Sequence, residues 1–236
     1  MLPTDKENSY LIVAHPDDEV LWFSSILLHV KQIVICFLPE SRDSKSTSIQ
    51  NEYPLQNARF LSLPQFGAYH RVNFFLPIRT RDGLLIKNSV RGAIRYRKNR
   101  MLLQEQLGEL IPEGSRIYTH NAWGEYGNEE HVQVHTVLFE LQKKKDLSLW
   151  HPNYCSFKSL SLMKKCVFSS ECDSFALDID QRFVRTMRDF YLDRHCWTWN
   201  TEWEWFAREI FFTVKKGTPL PTYHHTVPIN LFNVRW

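Results

Sequence analysis

His15, Asp17 and Asp18 stand within one short stretch, with Glu19 next in line. An imidazole and two adjacent carboxylates can hold a divalent cation and keep a base beside it, the equipment for driving water onto an unreactive bond. They follow Leu11-Ile12-Val13-Ala14, an unbroken apolar run that reads as a buried strand. The polar cluster therefore sits where a strand stops and a helix starts, and Glu19 in the first turn suits the positive end of the helix dipole. Taken alone, His-Pro-Asp-Asp reads equally well as a turn, because Pro and Asp favour turns. A second polar group, Gly127-Asn128-Glu129-Glu130-His131, lies far along the chain at the start of another helical stretch. His131 and His135 are four apart and would face the same way, a spacing that can hold zinc from both side chains. His135 falls among Val134, Val137 and Leu138 and reads as a core or supporting histidine.

Ala14-His15-Pro16-Asp17-Asp18-Glu19 resembles the signature of the PIG-L/LmbE-like family of zinc-dependent de-N-acetylases. The group ending in His131 stands where that family carries His-Pro-Asp-His after a glycine; the last histidine is kept and the first is replaced by Asn128. The resemblance is strong over 10–28 and 117–141 and weak over 39–114. It implies one domain over 1–236 with a Rossmann-like α/β fold, a mostly parallel sheet flanked by helices. It implies one catalytic Zn2+ held by His15, Asp18 and His131 with a fourth position for water. Asp17 would then be the base that takes a proton from that water and returns it to the leaving amine. The implied activity removes an acetyl group from the amide nitrogen of an N-acetylated amino sugar, N-acetylglucosamine in a conjugate, so the partner is a small molecule or glycoconjugate.

In the family the histidine at the place of Asn128 helps to stabilise the oxyanion and to move protons. Asn donates a hydrogen bond but shuttles no proton. His195, in Asp193-Arg194-His195-Cys196 and near where relatives place a further histidine, is the expected catalytic substitute, with His120 the other candidate. Arg42, Arg79 and Trp123 are the expected substrate contacts. Two alternatives stay open: a catalytically weakened, metal-bearing sugar-binding protein, and another amide or ester hydrolase on the same scaffold.

The elements that must position these groups are legible in outline. Residues 9–14 read as a strand, 20–30 as a helix and 33–38 as a second strand, a succession that implies a parallel pair buried on both faces. The Ser-rich, charged stretch 39–50 reads as a loop at the carboxyl end of the second strand, where ligands bind in open α/β sheets. Residues 53–63 look helical, 71–76 strand-like, and 79–90 turn-rich. A helix is expected over 98–110, with Leu102, Leu103, Leu107 and Leu110 at helical spacing and Pro112-Glu113-Gly114 closing it. A strand over 116–119, a loop over 120–127 and a helix over 129–143 follow. Toward the C-terminus, 165–169 and 175–179 read as strands and 180–193 as a helix. Trp197, Trp199, Trp203 and Trp205 crowd one segment and read as core, with stacking on a sugar ring as the sharper alternative.

Composition bounds the rest. A chain of 236 residues, 43% hydrophobic, has room for a substantial core. Net charge is only +3, and no nucleic-acid module accompanies the basic stretches at 143–145 and 95–100. These read as solvated helix ends, although the second could attract an anion. Five cysteines without knuckle spacing, a polar start over 1–9 and no membrane span point to a cytoplasmic protein with reduced thiols. The turn over 11–19 lacks the glycines that let a phosphate approach backbone amides.

Overall fold

Apolar runs bounded by polar turns become strands, and the longer periodic stretches become the helices that cover them. The computed structural model describes residues 6–39, 44–67, 78–87, 90–167, 172–214 and 229–234. In chain order the elements are β1 (Ser9–Val13), α1 (Asp18–Trp22), β2 (Gln32–Leu38), α2 (Ser44–Glu52), β3 (Ala58–Pro64), β4 (Arg79–Thr80) and β5 (Gly83–Leu84). Next come α3 (Val90–Leu110), β6 (Arg116–Thr119), α4 (Gly124–Gly127), α5 (Glu129–Lys145), β7 (Ser148–Pro152) and β8 (Tyr154–Ser156). The last are α6 (Leu160–Val167), β9 (Cys172–Asp178), α7 (Gln181–Asp193), β10 (Arg208–Val214) and β11 (Asn230–Phe232).

Seven strands form the main sheet in the order β3-β2-β1-β6-β7-β10-β9. The first five run parallel, and β10 is antiparallel to both neighbours. The expected Rossmann-like, mostly parallel α/β architecture is therefore present. Strand order reverses between β1 and β6, and the crevice beyond the carboxyl ends of such a pair is where open α/β sheets bind ligands. Alternate residues of β1 feed two cores. Tyr10 and Ile12 pack with Leu103 and Leu107 of α3 and Val134, Val137 and Leu138 of α5. Leu11 and Val13 face the other side, with Trp22, Phe23, Tyr118 and Phe211. Both faces are buried, as a parallel strand requires.

Several local expectations are corrected. The helix over 20–30 is two pieces: α1 ends at Trp22, its C-cap Phe23 leaves helical geometry with a φ of −139°, and a 3-10 turn runs Ser24–His29. Glu209, far away in sequence, accepts from the backbone and hydroxyl groups of Ser24 and Ser25 and so caps the second piece. The loop over 39–50 contains α2, and the stretch 53–63 holds strand β3, because parallel pairing with β2 outweighs its helical spacing. α3 begins at Val90 rather than at 98. Residues 165–167 end helix α6, and the strand over 71–76 lies outside the described residues. The helix over 180–193 is α7, with Asp180 as its N-cap. The tryptophan segment packs on the core: Trp205 is buried, and half-buried Trp199 and Trp203 meet Trp22 edge-on at 5.3 and 5.6 Å. Among the described residues no helix is long and apolar enough to cross a membrane.

Candidate functional site

The two sequence clusters converge at the switch point. β1 delivers His15 and Asp18 through the turn at Asp17, whose φ of 84° is left-handed. The first turn of α5 delivers His131. Asp18 Oδ2 lies 3.1 Å from His15 Nδ1 and 3.1 Å from His131 Nε2, and those two nitrogens are 3.3 Å apart. Donors around a tetrahedral zinc at roughly 2.0–2.1 Å stand about 3.3 Å from one another, so this triangle has the edge length such an ion needs. All three residues are buried.

The far nitrogens of both imidazoles are held. His15 Nε2 donates to Glu130 Oε2 at 2.9 Å, and His131 Nδ1 donates to Glu125 Oε2 at 2.6 Å. A carboxylate on the far nitrogen fixes a ligating histidine's tautomer and leaves the other lone pair for a metal. Glu130 is fixed in turn by the Phe66 backbone N–H, and Glu125 by that of Asn121. Glu125 also accepts from His120 Nδ1 at 2.9 Å. The Ala14 N–H donates to His120 Nε2, which places the imidazole proton on Nδ1. His120 and His131 stack with centroids 3.8 Å apart. His120, Glu125 and His131 thus form a second buried group of potential donors sharing His131 with the first. Gly124 permits the approach: its φ is +64°, and a Cβ there would meet the Val132 side chain at 2.9 Å and His131 Cβ at 3.3 Å.

Electrostatics divide the carboxylates. Burial pushes Asp18 upward, but the His131 and His15 imidazoles outweigh it and hold the group well below its ordinary value. Glu125 is likewise lowered to about 2 despite burial, by His120 and then His131. Against the downward pull of burial, Asp18 and Glu130 raise His15 well above its ordinary value. Asp17 moves the other way: burial, and then the neighbouring Asp18 charge, raise it well above the usual carboxylate range. Its Oδ2 is oriented by the Thr198 N–H and hydroxyl, both at 2.7 Å. Glu19 is structural. Its Oε1 accepts from Tyr53 and Tyr191, and burial raises it to about 7.

The remaining expected site residues are placed differently. Asn128 is the N-cap of α5, where its Oδ1 accepts from the Glu130 and His131 backbones and its Nδ2 donates to Tyr126 OH at 2.9 Å. His195 is exposed after α7, and its imidazole joins no site residue among the described residues. Trp123 is buried, donates to the Tyr154 carbonyl and stacks on Phe212, so its ring is committed to the core. Arg79 is exposed and reaches Cys166 Sγ at 3.4 Å, apart from the cluster. Arg42 lies outside the described residues. His135 is buried and donates to the His120 carbonyl, a supporting position. Glu125, Glu130 and Thr198 were not anticipated as site residues. Glu130 lies inside a legible motif, next to His131, whereas nothing local marks Thr198.

Comparison with protein-family models and with curated proteins finds no match. Among solved structures, the chain is similar to a deacetylase of teicoplanin biosynthesis in complex with teicoplanin, at 11% identity and TM-score 0.46, over 87% of this chain and 97% of that one. It is similar to the A40926 pseudoaglycone deacetylase at 10% identity and TM-score 0.46, over 90% and 98% of the two chains. It is also similar to the zinc-inhibited form of teicoplanin deacetylase at 11% identity and TM-score 0.47, over 88% and 98%. Likeness at that level assigns neither activity nor ligand.

Proposed function

We propose that this protein is a zinc-dependent hydrolase that removes an acyl group from the amide nitrogen of an N-acetylated amino sugar or its conjugate. The observation that carries the reading is the triangle of His15 Nδ1, Asp18 Oδ2 and His131 Nε2, with edges of 3.1–3.3 Å, beside a carboxylate held ready as a base. These three residues would hold one ion. When bound, zinc supplies Lewis acidity that acidifies water and polarises the acyl carbonyl.

The chain's own groups supply the rest. Asp17 takes the proton of the attacking water and returns it to the departing amine. A base raised above the usual carboxylate range by burial and by Asp18 fits both steps, since it must accept and then give up one proton. Thr198 aims that carboxylate by donating twice to one oxygen, leaving the other for the proton. Glu125 and Glu130 keep His131 and His15 in their ligating tautomers. Asn128 caps α5 and ties down Tyr126, so it positions His131 and does not move protons. The amino-sugar substrate rests on the resemblance of the two motifs to the PIG-L/LmbE-like family.

A second reading, a sugar-binding protein that keeps the metal without turnover, is favoured by Asn128 alone, because its amide replaces a proton-moving group. A screen of acetate release over N-acetylated sugars, with metal-depleted and zinc-restored protein, separates the two. Zinc-dependent release supports the hydrolase; tight sugar binding with no acetate released supports the binding protein.

A further inference from the structure

α3 carries two apolar stripes. The inner one, through Tyr96, Leu103 and Leu107, is buried, as an amphipathic helix requires. The outer one is Val90, Ile94 and Met101, which fall within a sector of about 40° on the helical wheel. They are 79%, 64% and 60% exposed. Exposed Arg97 flanks one side of this stripe and exposed Arg91 and Lys98 the other, with one exposed acid, Glu105, on the Lys98 side a turn beyond Met101. Apolar residues scattered singly over a surface are ordinary, but three aligned over three turns are not.

The charge around the stripe is lopsided. From Arg79 to Arg100 there are eight Arg or Lys and one acid, Asp82, while the whole chain has a net charge of +3. The rest of the protein is therefore net acidic. Asp82 is already engaged by Arg100, which also pairs with Glu140, so it does not offset the outward cations.

We propose that this outer face of α3 docks on an anionic lipid surface, with Arg91, Arg97 and Lys98 at the headgroups and Val90, Ile94 and Met101 at the acyl boundary. The alternation of cations and apolar side chains decides among partners. A second copy of the chain would set like charges against each other. A nucleic acid would meet the cations and leave the apolar stripe uncovered. An interface of anionic headgroups over acyl chains satisfies both. The face also stands close to the crevice: Tyr96, on the inner side of the same helical stretch, donates to the Glu129 carbonyl beside Glu130 and His131. The proposal does not depend on the metal chemistry.

Co-sedimentation of the full chain with phosphatidylcholine vesicles, with and without about one-third phosphatidylserine, tests it at low ionic strength. Binding is expected only to the anionic vesicles and is lost as salt rises. Replacing Arg91, Arg97 and Lys98 with Ser lowers partitioning about 100-fold, at roughly fivefold per cation. Ile94→Ser with Met101→Ser lowers it about tenfold and, since both are exposed, leaves the thermal midpoint unchanged. Equal binding to neutral vesicles, no binding to anionic ones, or full binding by the Ile94/Met101 variant would overturn the proposal. So would self-association in sedimentation velocity that the same variant abolishes, which would give the stripe to a second copy.

Discussion

Two pairs of buried imidazoles lie on either side of His120, and they are held in opposite ways. His15 and His131 each donate their far nitrogen to a carboxylate, Glu130 and Glu125. His135 and His151 both donate to one backbone carbonyl, that of His120, at 3.1 and 3.0 Å, and neither is hydrogen-bonded to a carboxylate among the described residues. The titration directions follow. His15 is raised because Asp18 and Glu130 outweigh burial. His135 is lowered by burial and then by His151, and His151 is lowered by burial to about 4. The same side chain is thus a candidate ligand where a carboxylate orients it, and a neutral structural donor where only a carbonyl does.

The sharpest way to break that contrast is at the carboxylate-rich pair. Asp17→Asn should keep metal and lose turnover by about 10²–10⁴-fold, because the proton acceptor goes and the ligands stay. Metal content beside steady-state rates on an active N-acetylated sugar checks it, and unchanged kcat would remove Asp17 from the base role. Next in size is Glu125→Gln, which should weaken metal affinity about 10–100-fold by loosening the His131 tautomer. Competition with a chelator reads it directly.

The carbonyl-held pair makes a pH prediction of smaller size. His151 is neutral in the fold, with a value near 4, and titrates at about 6.5 when unfolded. Between those values the unfolded chain binds more protons, so the stability it contributes is complete above about pH 6.5 and is lost as pH falls toward 4. The loss is on the order of 3 kcal/mol. Urea midpoints of wild type and His151→Gln should therefore differ in their pH dependence between pH 7.5 and 5; parallel curves would contradict the assignment. The smallest effect is Asn128→Ala, expected to cost about 1 kcal/mol through the lost cap of α5. A loss of all activity with an unchanged midpoint would instead place Asn128 in the chemistry.

What was readable in the sequence divides along the same line. His15 and Asp18 stand in a compact polar motif at the end of an apolar run and His131 in one that opens α5, the resemblance singles out these three, and the fold brings them together; the parallel pairing of β1 with β2 follows from the apolar runs. Thr198 and Glu209 were not legible, because each acts across the fold on residues near the N-terminus, and no local spacing marks such a pairing. The strand β3 was hidden by helical spacing that only pairing with β2 overrides. Asn128 was read as an altered chemical group, yet its position before Glu129 is that of a helix cap, and the cap is what its carbonyl oxygen serves.

Zinc titration into metal-free protein, comparing wild type with His131→Ala and His135→Ala, tests the central claim most directly. The account predicts one ion per chain for wild type and His135→Ala and no stoichiometric binding for His131→Ala. Full binding by His131→Ala, or its loss in His135→Ala, would contradict it.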